Sequence, residues 1–219
     1  MMLFGNFQKG CDLRTIADMK RENRASLIRF FAIFFAVLFI IVTLRTFFFM
    51  SVIVSGHSMD DTLYGGSYNL ASGEYEGGDI LVVDRNAKIS RGDVVVFEAG
   101  KFVSGTKKGE MWIKRVAGLP GDRLWTEKGL LYRSYEIDGE TFTECVNEPY
   151  VKGETYKSGR DFSVVVPEDG YYLLGDNREV SRDSRYIGAV GAQYVVGVVP
   201  EYVIENKDSD LLKFFIRFM

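Results

Sequence analysis

At 219 residues the chain has room for one substantial hydrophobic core with a small appended lobe. Its formal net charge of −3 hides an asymmetry: residues 1–29 carry six Lys/Arg against Asp12, Asp18 and Glu22, which leaves −6 on the remainder. Basic residues gathered before an apolar segment, without interleaved aromatics, argue against nucleic-acid binding, and one histidine with two well-separated cysteines, Cys11 and Cys145, implies no metal, no cofactor and no disulfide framework.

Residues 1–10 carry no pattern, whereas Asp12 to Ile28 favours helix, with Leu13, Ile16, Ala17 and Lys20 at helical spacing. The apolar run Phe30 to Leu44 that follows is fifteen residues long, short of the roughly 20 that cross a hydrocarbon layer. Ser26 to Arg29 supplies another turn, and Arg29 and Arg45 can snorkel outward at the two ends. The expectation is a transmembrane helix over 26–45. The basic cluster places the segment 1–25 in the cytoplasm and the bulk of the chain outside. A cleaved signal peptide is one rival, but its leader would be unusually long. No small-x-small site follows either, since the chain continues as Arg45-Thr46-Phe47-Phe48-Phe49-Met50. A buried helix is the other rival.

Phe47 to Val54 is aromatic and β-branched, which suits a strand or a membrane-surface segment ending at Gly56. Then comes Ser55-Gly56-His57-Ser58-Met59-Asp60-Asp61-Thr62-Leu63. Ser58 is the candidate nucleophile, and a serine hydroxyl attacks poorly until another group takes its proton. The sole histidine, His57, is its immediate neighbour, and adjacent side chains on extended backbone point to opposite faces. A Ser-His-Asp triad is therefore disfavoured, and the alternative is a lysine kept neutral in an apolar strand.

The remainder reads as almost entirely β. Short apolar strands stand next to Gly-Asp pairs at 78–79, 92–93, 121–122 and 175–176, where Gly relieves the φ restriction and Asp hydrogen-bonds locally. Residues 98–110, with Gly100, Gly105, Lys107, Lys108 and Gly109, form a surface hairpin loop in this reading. Polar, turn-rich residues 126–163 form a smaller lobe or elaborated hairpins between the two parts of the β domain, 46–125 and 164–204. Val195 to Val199 is a closing strand, and the tail 205–219 ends in an apolar stretch from Leu211 that is too short to span.

Met111-Trp112-Ile113-Lys114-Arg115-Val116 is the place for the base. On a strand Trp112, Lys114 and Val116 share a face, so Lys114 sits between apolar neighbours. Burial there disfavours the ammonium and lowers its pKa from about 10.4 by several units. The stretch from Tyr172 to Arg185 is dense in hydrogen-bonding side chains. Ser181 can orient a neutral lysine without restoring its charge, and Asp183 and Arg185 can form a bidentate pair. Taken singly, each segment also has a plain reading as a solvated strand or a structural polar turn.

Together the three segments resemble the bacterial type I signal peptidases, Ser-Lys endopeptidases that remove signal peptides from exported proteins. The family's Ser-Gly-x-Ser-Met-x-Pro-Thr-Leu is met at 55–63, its lysine motif at 113–122, and its Gly-Asp-Asn-Arg-x-x-Ser-x-Asp-Ser-Arg at 175–185. Arg45-Thr46 followed by aromatics is typical of the Gram-positive form. The resemblance covers roughly residues 27 to 204. It implies Ser58 as acylated nucleophile, Lys114 as general base, Ser181 as the orienting hydroxyl, Asp183 and Arg185 as a structural pair, and Met59 beside the binding cleft. Two departures stand out. Gly56 holds the place where some relatives have an oxyanion-donating serine, which leaves mainly the Ser58 backbone N–H. Asp61 replaces the family's proline, and the loss of a fixed φ is expected to loosen the segment after Ser58.

The expected protein is mostly β: an antiparallel β-sheet catalytic domain with a small inserted β-rich lobe, preceded by one N-terminal transmembrane helix. The resemblance implies cleavage of exported preproteins after small residues in an Ala-x-Ala-like pattern, at the outer face of the bacterial cell membrane. The partners are signal-peptide-bearing preproteins and the lipid bilayer, near the secretion translocon, with no nucleic acid. Two alternatives stay open: a non-catalytic assembly factor for a pilin or other exported precursor, and a Ser-Lys self-cleaving repressor. The retained Ser58 and Lys114 weigh against the first, and the anchor with no DNA-binding segment weighs against the second.

Overall fold

The structure, a computed structural model, describes residues 13–103, 106–107, 109–151, 153–157, 159–211 and 213–214. Cys11, Gly105, Lys108, Leu212 and the tail residues 215–219 lie outside the described residues. The chain falls into two compact units that meet in sequence between Thr46 and Phe47.

Among the described residues the first unit is one continuous helix, α1 (Leu13–Phe47), of 35 residues, whose final residue is the first of the second unit. The helical spacing before Ile28 and the apolar run after it are thus one element. Its stretch Arg21–Phe47 is long and apolar enough to cross a membrane, about 40 Å at 1.5 Å per residue. From Phe30 to Val42 the side chains are apolar around the whole circumference and lie exposed, Phe39 at 72%, an arrangement that suits lipid and not water. The hydroxyls of Thr43 and Thr46 donate to the carbonyls of Phe39 and Val42 one turn back, at 2.8 Å each. That removes two unsatisfied polar groups from the apolar surface. Arg45 in the last turn complements the negative end of the helix dipole.

The second unit is mostly β. In chain order its elements are β1 (Phe49–Ile53), β2 (Ser67–Asn69), β3 (Glu74–Glu76), β4 (Ile80–Asp84), β5 (Val94–Glu98), β6 (Met111–Gly118), β7 (Arg123–Glu127), β8 (Leu130–Ile137), β9 (Glu140–Cys145), β10 (Ser163–Val165), β11 (Gly170–Leu174), α2 (Ser184–Ile187), β12 (Val190–Gly191), β13 (Val195–Val199) and α3 (Glu201–Glu205). A seven-stranded sheet runs in the order β1-β4-β13-β5-β6-β11-β12, a four-stranded sheet in the order β10-β7-β8-β9, and β2 and β3 form a small hairpin. Every pairing is antiparallel.

The strand positions follow from the side chains. Val94 to Phe97 of β5 are all buried, so this β-branched run takes a central place, covered on both faces. Two of the four Gly-Asp pairs, 92–93 and 121–122, work as local turns, whereas Gly78 and Gly175 do not take positive φ and the Asp79 and Asp176 carboxylates accept from residues distant in sequence. Gly92 and Gly121 take positive φ, while the Asp93 and Asp122 carboxylates accept the backbone N–H groups of Ser90 and Leu119 at 2.7 and 2.9 Å. One apolar cluster joins Met59, Leu63, Leu81, Val83, Val94, Val199 and Val203, and a second joins Val95, Phe97, Val116, Leu173 and Val190. A third, with Leu124, Leu131, Val166, Tyr172 and Leu174, lies under the four-stranded sheet.

Candidate active site

The segment carrying Ser58 follows β1. Beyond that strand Val54 N–H donates to Asp79 O at 2.9 Å and Gly56 N–H to Gly65 O at 3.0 Å, and Gly56 turns the chain at φ +85°. A short turn comes next, closed by Leu63 N–H on Met59 O at 2.8 Å. Met59 and Leu63 sit four residues apart and both bury into the first apolar cluster. They anchor the turn from below, and Ser58 is left partly exposed above them.

Lys114 lies on β6, opposite Val95 of β5. Its Nζ is 2.7 Å from Ser58 Oγ and donates to Ile113 O at 2.7 Å. The side chain is buried, 3% exposed. Burial pushes its pKa down from the usual 10.5 to about 8, against the charges of Asp183 and Asp176, which hold it up. A neutral amine at this distance keeps one N–H on Ile113 O and turns its lone pair to the Ser58 hydroxyl. That geometry suits proton abstraction.

The third segment packs behind this pair. Asn177 N–H donates to Ser58 O at 3.2 Å and Ser181 N–H to Asn177 O at 3.0 Å, so the loop after β11 grips the serine's own backbone. The Ser181 hydroxyl is buried with no hydrogen-bond partner among the described residues. Asp183 is fully buried and accepts from Gly175 N at 3.0 Å and from Arg185 Nε and Nη2 at 2.8 Å each. Arg185 in turn donates to the carbonyls of Tyr156 and Arg178. The charge pair therefore staples a loop, and its satisfied hydrogen bonds make burial tolerable.

Three residues to which the sequence pattern assigned no role complete the surroundings. Asp176, fully buried, receives Arg115 Nε at 2.9 Å and Nη2 at 2.6 Å, and the Thr62 hydroxyl at 2.6 Å. Arg115 also lies 3.8 Å over the Tyr150 ring. Their signal was present, since Thr62, Arg115 and Asp176 all fall inside the three motifs, but no local pattern says that they meet. Asp61 also differs from expectation in kind. Its φ is +78°, a left-handed conformation that proline's ring excludes. The change from proline therefore accompanies a specific turn and is not a simple loosening; Asp is among the few residues that tolerate it.

A cleft of about 360 Å³ opens at Ser58, lined by residues 53–59, Tyr75, Met111 to Lys114, Val180 and Arg182. β11 pairs with β6 only from Arg115 to Gly118. Among the described residues, the stretch Met111 to Lys114 thus has no strand partner on that side, and an extended peptide can pair there. In the cleft lining, His57 Nδ1 meets Asp60 Oδ2 at 2.9 Å and the His57 ring packs edge-on to Tyr75. The histidine is engaged with Asp60, not with Ser58.

A family model described as "Signal peptidase, peptidase S26" matches residues 27–203. The chain is 34% identical over 181 residues to signal peptidase I of Bacillus caldolyticus, which spans 75% of this chain and 85% of the relative. It is 30% identical over 191 residues to signal peptidase I P of Bacillus subtilis subsp. natto, covering 83% and 91%. It is 31% identical over 176 residues to signal peptidase IB of Staphylococcus aureus strain COL, covering 77% and 83%. A crystal structure of a signal peptidase I from Enterococcus faecalis V583 aligns at 29% identity and a TM-score of 0.38, over 52% of this chain and 98% of that one.

Proposed function

The chain belongs to the signal peptidase family, peptidase S26, and from that premise we propose that it is a membrane-anchored serine endopeptidase working through a Ser58–Lys114 dyad on exported preproteins. Family membership supports the peptidase activity. The observation that carries the dyad is the 2.7 Å approach of a buried Lys114 amine, its pKa lowered to about 8, to the Ser58 hydroxyl.

In this mechanism neutral Lys114 takes the Ser58 proton as Oγ attacks the scissile carbonyl. The tetrahedral oxyanion accepts from the Ser58 backbone N–H, with no side-chain donor from Gly56. The Lys114 ammonium then gives its proton to the leaving amine, and an acyl ester remains on Ser58. Neutral again, Lys114 deprotonates a water that hydrolyses the ester and frees the serine. Ser181 is assigned the orienting hydroxyl by the family motif alone, since its buried Oγ makes no hydrogen bond among the described residues, and Asp183 with Arg185 keeps its loop in place. The substrate runs extended along Met111 to Lys114, and the cleft beside Met59 admits small side chains in an Ala-x-Ala-like pattern.

α1 anchors the enzyme. The basic residues before the span favour a cytoplasmic N-terminus and a catalytic domain on the outer surface, where precursors arrive from the translocon. The proposed organisation is a cytoplasmic segment 1–25, a span 26–45, a catalytic β domain in two parts (46–125 and 164–204) around a lobe at 126–163, and a tail 205–219. Cleavage of a reporter preprotein by full-length wild type, S58A and K114A in membrane vesicles tests the reading. Loss of processing in both variants with the fold retained supports it. Undiminished processing by either removes that residue from the mechanism.

A further inference from the structure

Lys207 stands two residues after α3, far in sequence from all three motifs, yet its Nζ donates to the carbonyl of Thr62 at 2.8 Å across a separation of 145 residues. The same ammonium pairs with Asp79 at 3.1 Å. Asp79 also accepts Tyr64 N–H on its carboxylate at 2.8 Å, its own N–H donates to Tyr64 O at 2.8 Å, and its carbonyl receives Val54 N–H. Lys207 therefore completes a cluster that ties together the chain entering the Ser58 turn at Val54 and the chain leaving it at Tyr64.

Thr62 is bracketed. Its hydroxyl goes to Asp176 on one side and its carbonyl to Lys207 on the other. The residue before it, Asp61, holds the left-handed conformation at φ +78°, and backbone of that kind persists only where surrounding contacts over-determine it. The base of the lysine is independently fixed. α3 buries Val203 in the same apolar cluster as Met59 and Leu63, so the ammonium projects from a rigid mount onto the turn. A charge-assisted bond from such a mount is stronger than a neutral one.

We propose that Lys207 is a positioning residue, one that holds the turn carrying Ser58 at the distance Lys114 requires. This role rests on the Ser58–Lys114 dyad proposed under the function. It acts on the serine's placement and not on substrate binding, so its signature is a fall in kcat with KM little changed.

The test uses full-length protein with a reporter preprotein, comparing wild type, K207M, K207R and D79N, with S58A and K114A alongside. K207M keeps the apolar stem and drops the charge. It is expected to lower kcat about tenfold with KM within about twofold of wild type, as misplacement of a reacting group does. K207R, which can still reach Thr62 O and Asp79, should restore most of that loss. D79N should lower kcat in the same direction, and the D79N/K207M double variant should lose less than the two single losses combined, because both act on one cluster. Wild-type kcat in folded K207M overturns the proposal, as does a rise in KM with kcat unchanged, or a loss that K207R does not relieve. Should K207M fail to fold, D79N decides: unchanged kcat there overturns it. If S58A and K114A are inactive while K207M and D79N match wild type, the positioning role alone fails. If S58A or K114A processes normally, the dyad reading fails and Lys207 falls with it.

Discussion

Gly175 faces the Ser181 hydroxyl across a gap that holds no β-carbon. A methyl built on Gly175 would come within 2.1 Å of Ser181 Oγ and 2.5 Å of the Ser58 carbonyl oxygen. The glycine is the point where the nucleophile's turn and the third motif's loop touch backbone to backbone. Replacing it with alanine must push one of them away. Gly175→Ala is expected to cost about 1–3 kcal/mol of stability through overpacking. Its loss of activity should be larger, on the order of a hundredfold, because a shift of about 1 Å in Ser58 suffices for that. Denaturant melts with single-turnover cleavage check it; full activity would show that the loop contact does not control Ser58.

The pH dependence of cleavage should follow Lys114. With its pKa lowered to about 8 by burial, the amine is mostly protonated at neutral pH and mostly free above that value. The rate constant kcat/KM should rise about tenfold per pH unit on the acid side and level off above pH 8. A pH–rate profile on a substrate without titrating groups gives the midpoint. A midpoint near 10.5, the ordinary lysine value, would remove burial as the cause of activation.

The lowered Lys114 pKa also fixes a sign for stability. Lys114 titrates at about 8 in the folded protein against 10.5 unperturbed. Between those values the unfolded chain binds the extra proton, so stability from this residue rises with pH through that window. Below pH 8 the buried amine costs the fold about 3 kcal/mol, since each pH unit between the two values is worth about 1.4 kcal/mol. The stability of Lys114→Met relative to wild type should therefore be more favourable at pH 7 than at pH 10, the difference shrinking as pH approaches 10.5. Paired denaturant titrations of wild type and K114M at pH 7 and pH 10 test this; equal differences at the two values would contradict it.

Asp61 makes a test of backbone against family pattern. Restoring the family's proline, Asp61→Pro, demands φ near −65° where the chain has +78°. It should destabilise by more than about 1 kcal/mol and lower activity by displacing Ser58. Asp61→Gly, free to keep positive φ, should stay within about 1 kcal/mol of wild type. Thermal melts and cleavage rates of the two variants decide it, and a fully stable, active D61P would mean the turn has another conformation in solution.

Several features of this protein were legible from residue order alone because their causes are local. A fifteen-residue apolar run, lengthened by the turn Ser26 to Arg29 and flanked by arginines, makes a helix long enough for a span whatever surrounds it, and α1 follows. Gly and Asp side by side make turns from their own φ freedom and carboxylate, as at Gly121-Asp122. Alternation on β6 placed Lys114 among apolar neighbours, and Ser58 and Lys114 could be named together because three motifs occur in a known order. What residue order could not supply is which distant groups meet. Arg115 reads as one more strand cation until sheet order brings it to Asp176, 61 residues on, with Thr62 between them. Lys207 reads as one residue of a C-terminal tail until α3 packs beside Met59 and aims it at the Thr62 carbonyl. Asp61 reads as a lost proline until the closed turn sets its φ. The first of these depends on β11 ending opposite Arg115 on β6, and the second on β13 entering between β4 and β5 and leading into α3. Such long-range pairings are chosen by burial summed over the whole core, and no window of neighbouring residues contains that sum.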